Sequence, residues 1–217
     1  MAVAPQPASG RTRGVEIFIN KAVYQLAKHW LAFANLVLAL FVGLPLLAPV
    51  FMQAGWTTPA KAIYTAYRPT CHQRPDRSFF LGGPQTVYSP EQLAAAGLDG
   101  GPLSRDIGSP TLGWKVAFCE RDLAIYGSML LTGLAYGVIR RRRGTRLMRL
   151  RVYALFVLPM AIDGLLQLFG VYESTWLLRV ITGTIFGVGS VLFAFPYLEE
   201  GFADVRRTTA NKLDLEA

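Results

Sequence analysis

The chain has 217 residues, of which 52% are hydrophobic and 17% charged, with a formal net charge of +8. A soluble domain carries about 25% charged residues, and here the apolar residues fall in long charge-free blocks, which excludes an ordinary soluble fold. The positive balance is no mark of a nucleic-acid partner: it gathers in one arginine cluster between apolar blocks, and no helix-turn-helix, zinc-finger or RNA-recognition pattern is present.

Residues 1–14 are small, polar and Pro/Gly-bearing, and are expected to be disordered. Over 15–28, Val15, Phe18, Ile19, Ala22 and Leu26 recur at helical spacing, with Glu16, Asn20, Lys21 and Lys28 elsewhere on the wheel. That pattern predicts an amphipathic helix in the membrane interface, or else a soluble extension of the first span. No charged residue occurs from Trp30 to Ala60. About 20 apolar residues cross a bilayer, so the first span falls at about 31–52, with Pro45 and Pro49 predicting a kink or an early end. The block is too long for a signal peptide and lacks a small-x-small cleavage site, so it reads as a retained anchor.

Residues 53–121 form a long connection of mixed polarity. It holds a short helix near 59–67, a helical turn at 90–96 and a Gly/Pro-rich stretch; so long a connection with little regular structure is functional or disordered. Further spans follow at 123–139, 152–172 and 180–198, with Trp176 and Tyr197 at interfaces. The tail, 199–217, is polar. The expected fold is therefore all-α and integral to the membrane, with four transmembrane helices within 29–198 and the lipid bilayer as surroundings.

Orientation follows from one short loop. Arg140, Arg141, Arg142, Arg143, Arg146, Arg149 and Arg151 stand there, with no acid between Asp122 and Asp163. Arginine-rich short loops stay cytoplasmic. Both termini, which carry Arg11, Arg13, Arg206 and Arg207, are then cytoplasmic as well, and the 53–121 connection is extracytoplasmic.

Most of the costly or reactive groups fall at that outer end. Cys71 and His72 lie in the connection, and Cys119, Glu120, Arg121 and Asp122 at the mouth of the second span. Asp163 and Gln167 share a face of the third span, Glu173 is in the turn after it, and Arg179 is one turn into the fourth. Charges within spans face the bundle interior and mark functional sites; an Asp163–Arg179 pair that docks the third helix on the fourth is the plain structural alternative. For the two cysteines three readings stand open. An oxidising compartment favours a Cys71–Cys119 disulfide; Cys71, His72, Cys119 and Asp122 offer the sulfur, nitrogen and oxygen donors of zinc or another transition metal; or the thiols are free. Arg74, Arg77 and Ser78, beside an apolar run, suit an anion or lipid headgroup, or simply an anchored loop. Gly133/Gly137 and Gly183/Gly187 offer close helix contacts, including to other membrane subunits.

Three stretches carry a resemblance. They are Cys71-His72-Gln73-x-Pro75-x-Arg77-Ser78-Phe79; Cys119-x-Arg121 with Ile125 and Tyr126; and Pro159, Asp163, Gly164, Gln167, Glu173, Ser174, Arg179, Thr182, Gly183 and Gly187 in order. Together they resemble a family of small bacterial and archaeal membrane proteins known as a domain of unknown function, over about 71–83 and 119–190. The family pattern has a second cysteine in C-x-R-C where this chain has Asp122, and its Ile-Tyr-x-Gly ending is shifted here, with Gly127 directly after Tyr126. The resemblance implies a membrane fold and a shared outer site, and it supplies no activity. If that site is a three-cysteine metal centre, Asp122 implies a weakened or lost one here.

Three functions compete. With no Ser/His/Asp set, phosphate loop or H-E-x-x-H motif, an accessory subunit of a membrane complex leads. A metal- or small-ligand-binding protein or transporter with an extracytoplasmic site follows, and then a thiol-dependent membrane enzyme.

Overall fold

The computed structural model describes residues 10–101, 104–144 and 146–213, and of residues 10–12, 142 and 143 the backbone alone. In chain order it holds α1 (Gly10–Gln53), α2 (Thr57–Tyr67), a 3-10 turn (Pro75–Arg77), β1 (Phe80–Leu81), α3 (Pro90–Ala95), β2 (Gly108–Ser109), β3 (Gly113–Lys115), α4 (Glu120–Arg143), α5 (Leu150–Leu168) and α6 (Trp176–Lys212). Four helices, α1, α4, α5 and α6, are long and apolar enough to cross a membrane. Their outward faces are hydrocarbon: Leu131 is 70% exposed, Leu155 66% and Leu168 76%. Apolar surface on that scale suits lipid rather than water, and helices satisfy their own backbone groups, as a bilayer demands.

α6 is the hub, packing on α1, α4 and α5. Its glycines set the approach. A Cβ on Gly183 would come within 3.0 Å of the Arg121 carbonyl, one on Gly187 would overlap Ser128 and the Ile125 carbonyl, and one on Gly189 would overlap the Phe156 ring. Gly133 meets Asn35 and Phe195, and Gly137 meets Leu31. Both glycine pairs, read as offering close helix contacts, make them with the chain's own helices. Glycine spacing announces a close contact without naming the partner.

α1 joins two helices across a kink at His29, where φ −112° and ψ 16° leave the helical region, so the helix through Lys28 is set off from the span that follows it. Of the stretch expected to be disordered, 10–14 is helix, and 1–9 lie outside the described residues. Pro45 and Pro49 do not end the helix. Each removes the N–H that would bond four residues back, and each freed carbonyl finds another donor. Tyr67 OH donates to Phe41 O at 3.0 Å, and Ala117 N–H donates to Pro45 O at 3.2 Å. The two prolines thereby create the acceptors on which the 54–119 segment docks.

That segment is folded rather than loose. Ala60, Tyr64 and Ala117 pack on Ala48 and Met52 of α1, and Tyr67, Cys71, Val116 and Phe118 gather against Phe41 and Tyr126. A three-stranded antiparallel sheet in the order β1-β3-β2 was not foreseen, with Phe80 opposite Lys115 and Gly108 opposite Trp114. α3 starts on a capping box in which Ser89 and Gln92 bond each other's backbone N–H. α5 stops at Leu168, short of 172, where Gly170 takes φ +69° and turns the chain. Thr175 then caps α6, which continues through 199–212 of the tail; 214–217 lie outside the described residues. At the opposite end of the bundle, Trp30 donates to Glu199 at 2.9 Å, and Arg140 pairs with the same carboxylate. Arg142, Arg143 and Thr145 of the arginine cluster lie outside the described side chains.

Candidate functional site

Cys71 follows α2 and is buried, with its sulfur accepting the backbone N–H of Gln73 at 3.5 Å and of Cys119 at 3.1 Å. The turn that allows this is Gln73, whose φ of +52° is the only positive value of a non-glycine among the described residues. Two bonds hold it there: its side-chain amide donates to Tyr64 O at 2.8 Å, and its carbonyl accepts from the Lys115 ammonium. Lys115 is itself buried, and that burial pushes its pKa down to about 8.

Cys119 is the N-cap of α4, its sulfur accepting the Asp122 N–H at 3.4 Å. An N-cap and the residue three positions on share one face, so Cys119 and Asp122 meet Cys71 together. The three donor atoms lie within 4.8 Å of one another. Both cysteines are free thiols, with no disulfide between them. The hydrogen bond with Cys71, and then burial, push the Cys119 thiol well above its usual range. His72, expected as a fourth ligand, does not join the cluster. It is exposed and lies on the wall of the adjoining cavity. A tetrahedral zinc ion with bonds of about 2.3 Å to sulfur and about 2.1 Å to oxygen holds its donors roughly 3.5–3.8 Å apart. The trio is therefore at most about 1 Å from that spacing, and it supplies three protein donors.

Cys119 and Asp122 of the trio border a cavity of about 640 Å³, lined also by Thr70, His72, Arg74, Arg77, Arg121, Gly164, Gln167, Leu168 and Arg179. Ligand sites run from about 300 to 1,000 Å³. Four guanidinium groups line this one, each fixed by an acid. Arg74 bonds Asp76 through two nitrogens, at 3.0 and 2.7 Å. Arg77 bonds Glu173 at 2.9 Å. Arg121 pairs with Asp163, which also accepts from Tyr172 OH. Arg179 bonds Glu120 at 2.9 Å and the Ser174 carbonyl. Burial, and then the neighbouring Arg74 and Arg179 charges, depress the Arg77 pKa.

The expected Asp163–Arg179 pair is thus replaced by two others, both made from the first turn of α4. Successive helical residues point about 100° apart, so Glu120 reaches α6 and Arg121 reaches α5. Gln167 lies 3.4 Å from Arg121 and 3.3 Å from Glu173, inside this network. Ser78 takes no part in an anion site: it is fully buried and donates to Arg74 O at 2.8 Å. Sequence reasoning placed Glu120 and Arg121 at the mouth but gave them no role, named Gln73 only within a motif, and passed over Lys115 and Tyr172. The adjacent opposite charges at the start of an apolar helix were the one signal for the first two.

Comparison with known proteins gives a family resemblance and no activity. The chain is 29% identical over 159 residues, 71% of its own length and 83% of the relative's, to the uncharacterized protein MJ1492 of Methanocaldococcus jannaschii. No solved structure matches it. Residues 110–193, the stretch that holds Cys119, Asp122, Asp163 and Arg179 but not Cys71, match a family described as "Predicted membrane protein (DUF2085)".

Proposed function

We propose that this membrane protein holds a thiophilic metal ion between Cys71, Cys119 and Asp122, at the extracytoplasmic end of a four-helix bundle. The observation that carries the reading is the convergence of these three donors within 4.8 Å, from segments 48 residues apart in sequence. Two sulfurs and one carboxylate suit zinc or a softer neighbour, and three protein donors, two of them lining a cavity, are the pattern of ligand-binding rather than purely structural metal sites. Asp122 stands where the resembling family has cysteine, so it exchanges a soft donor for a hard one and keeps the donor count. The accessory-subunit reading keeps the absence of a catalytic set in its favour, but its glycine faces are occupied within the chain.

Cobalt(II) substitution tests this, because a tetrahedral thiolate site gives intense visible and near-ultraviolet bands. The purified protein binds one ion per chain with those bands. A Cys71→Ser/Cys119→Ser double variant loses them, and Asp122→Cys strengthens the sulfur-to-metal band and the affinity. A stoichiometric Cys71–Cys119 disulfide in protein alkylated directly from native membranes would end the proposal, as would a cobalt spectrum indifferent to both cysteines. The orientation rests on the seven arginines at the end of α4, in the α4–α5 connection and at the start of α5. In the cysteine-free background, an impermeant maleimide applied to intact cells labels Thr111→Cys and spares Leu147→Cys; the reverse pattern inverts the map.

A further inference from the structure

The cavity beside the thiols carries a second assignment, which does not depend on a metal. Each guanidinium has five N–H donors in a planar fork, and the acids along this wall use only part of them. Arg179 spends one nitrogen on Glu120 and one on Ser174, while its Nε, buried with a side chain only 9% exposed, has no hydrogen-bond partner among the described residues. Arg121 and Arg77 repeat the pattern. Their Nη2 groups go to Asp163 and Glu173, and their buried Nε groups have no hydrogen-bond partner among the described residues, the Arg77 Nε making only a 3.7 Å ion-pair contact with Asp76. Arg74, by contrast, has its Nε edge engaged by Asp76. The three arginines that carry these unpaired donors, from the 3-10 turn, α4 and α6, line one cavity of about 640 Å³. Buried donors left unpaired cost about 1–3 kcal/mol each, more for charged groups, so an arrangement with three of them calls for an acceptor.

We infer that this cavity binds a phosphate group, held by Arg77, Arg121 and Arg179. A planar carboxylate offers two oxygens in one plane, whereas a tetrahedral phosphate presents oxygens in several directions and can accept from guanidinium groups on three separate elements. The acids behind the wall pre-orient the arginines and keep them from collapsing on one another. They do not fill the cavity: among its lining residues the arginines number four and the acids one, Asp122. Gly164 and Leu168 of α5 complete the wall, and Leu168 is 76% exposed on the hydrocarbon face. The phosphate can therefore come from a lipid headgroup entering beside α5 or from free phosphate entering past His72.

The test uses full-length protein in phosphatidylcholine nanodiscs with a chelator present, so that failure of the metal reading cannot disturb it. One arm titrates inorganic phosphate; the other replaces part of the lipid with phosphatidic acid and reads retention by native mass spectrometry. Saturable binding in the first arm names free phosphate, and in the second a lipid headgroup. Arg77→Gln, whose partner Glu173 has a side chain 78% exposed and whose second acid, the buried Asp76, keeps both of its bonds from Arg74, weakens binding roughly tenfold, in line with the loss of one charge-assisted hydrogen bond. Arg179→Lys, which keeps the charge and loses the fork, weakens it at least as much. No saturable binding in either arm, binding that appears only after metal is restored, or equal affinity in both folded variants overturns the inference.

Discussion

Removing one partner of the Glu120–Arg179 pair offers the sharpest energetic test of this architecture. The Glu120 side chain is fully buried and that of Arg179 is 9% exposed, with 2.9 Å between them. Breaking such a pair costs about 3–5 kcal/mol, whereas replacing both partners by apolar side chains of similar volume is close to neutral. The two single variants are not equivalent. Arg179→Met leaves a carboxylate, which can take up a proton and become neutral, whereas Glu120→Leu leaves a guanidinium, which cannot shed its charge. Glu120→Leu should therefore be the more damaging single change, at the upper end of that range, and Glu120→Leu/Arg179→Met should recover most of the loss. The assay is reversible unfolding in mixed micelles, followed by tryptophan fluorescence, on the four proteins of the cycle. Strict additivity of the two single effects, or a Glu120→Leu cost below about 1 kcal/mol, would refute a buried pair between α4 and α6.

Gly187→Ala should destabilise by about 1–3 kcal/mol, because its Cβ would overlap Ser128 and the Ile125 carbonyl, whereas Gly201→Ala, with open space around it, should be neutral or stabilising; thermal melts in detergent separate the two. Tyr67→Phe removes the donor to Phe41 O and should cost about 1–3 kcal/mol, and adding Pro45→Ala, which restores an N–H to that carbonyl, should recover part of it in the same melts. Lys115, with its pKa lowered to about 8 by burial against an ordinary 10.5, should make stability pH-dependent. The unfolded chain keeps this proton longer than the native one, so stability rises with pH between those values, by about 3 kcal/mol at about 1.4 kcal/mol per unit. Lys115→Met should flatten that rise in unfolding curves taken with chelator from pH 8 to 10.5.

The four apolar helices were legible because a span needs only length and the absence of charge, and both are printed in the sequence. Their ends were less so: Gly170 and Thr175 move the α5–α6 turn, and α1 runs through two prolines expected to kink or end it, its kink falling at His29, between the 15–28 helix and the span. Those prolines misled because the donors that rescue their freed carbonyls, Tyr67 OH and Ala117 N–H, lie far along the chain. The residues of the site were legible as a group and its pairings were not. Asp163 and Arg179 sit at matching depths in adjacent helices, but which of them face each other depends on helix rotation, and that is set by Gly183, Gly187 and Gly189 packing against α4 and α5. His72 failed as a ligand for a related reason: the Gln73 turn buries Cys71 and leaves its neighbour exposed, and nothing local announces a positive φ at a glutamine.

The first turn of α4 explains why chemistry and packing share one place in this molecule. Residues 119–122 point in four directions about 100° apart. Cys119 and Asp122 return to one face and meet Cys71; Glu120 turns to Arg179 on α6, and Arg121 to Asp163 on α5. Rotating α4 by a single residue would break all of these contacts together, so the helix has one rotation that satisfies them. The same contacts also fix the folded connection, because the Cys119 N–H bonds the Cys71 sulfur while Ala117, two residues earlier, bonds the proline-freed carbonyl of α1. A ligand bound at the thiols or at the arginines would therefore bear directly on how three membrane helices are held, without any intervening relay.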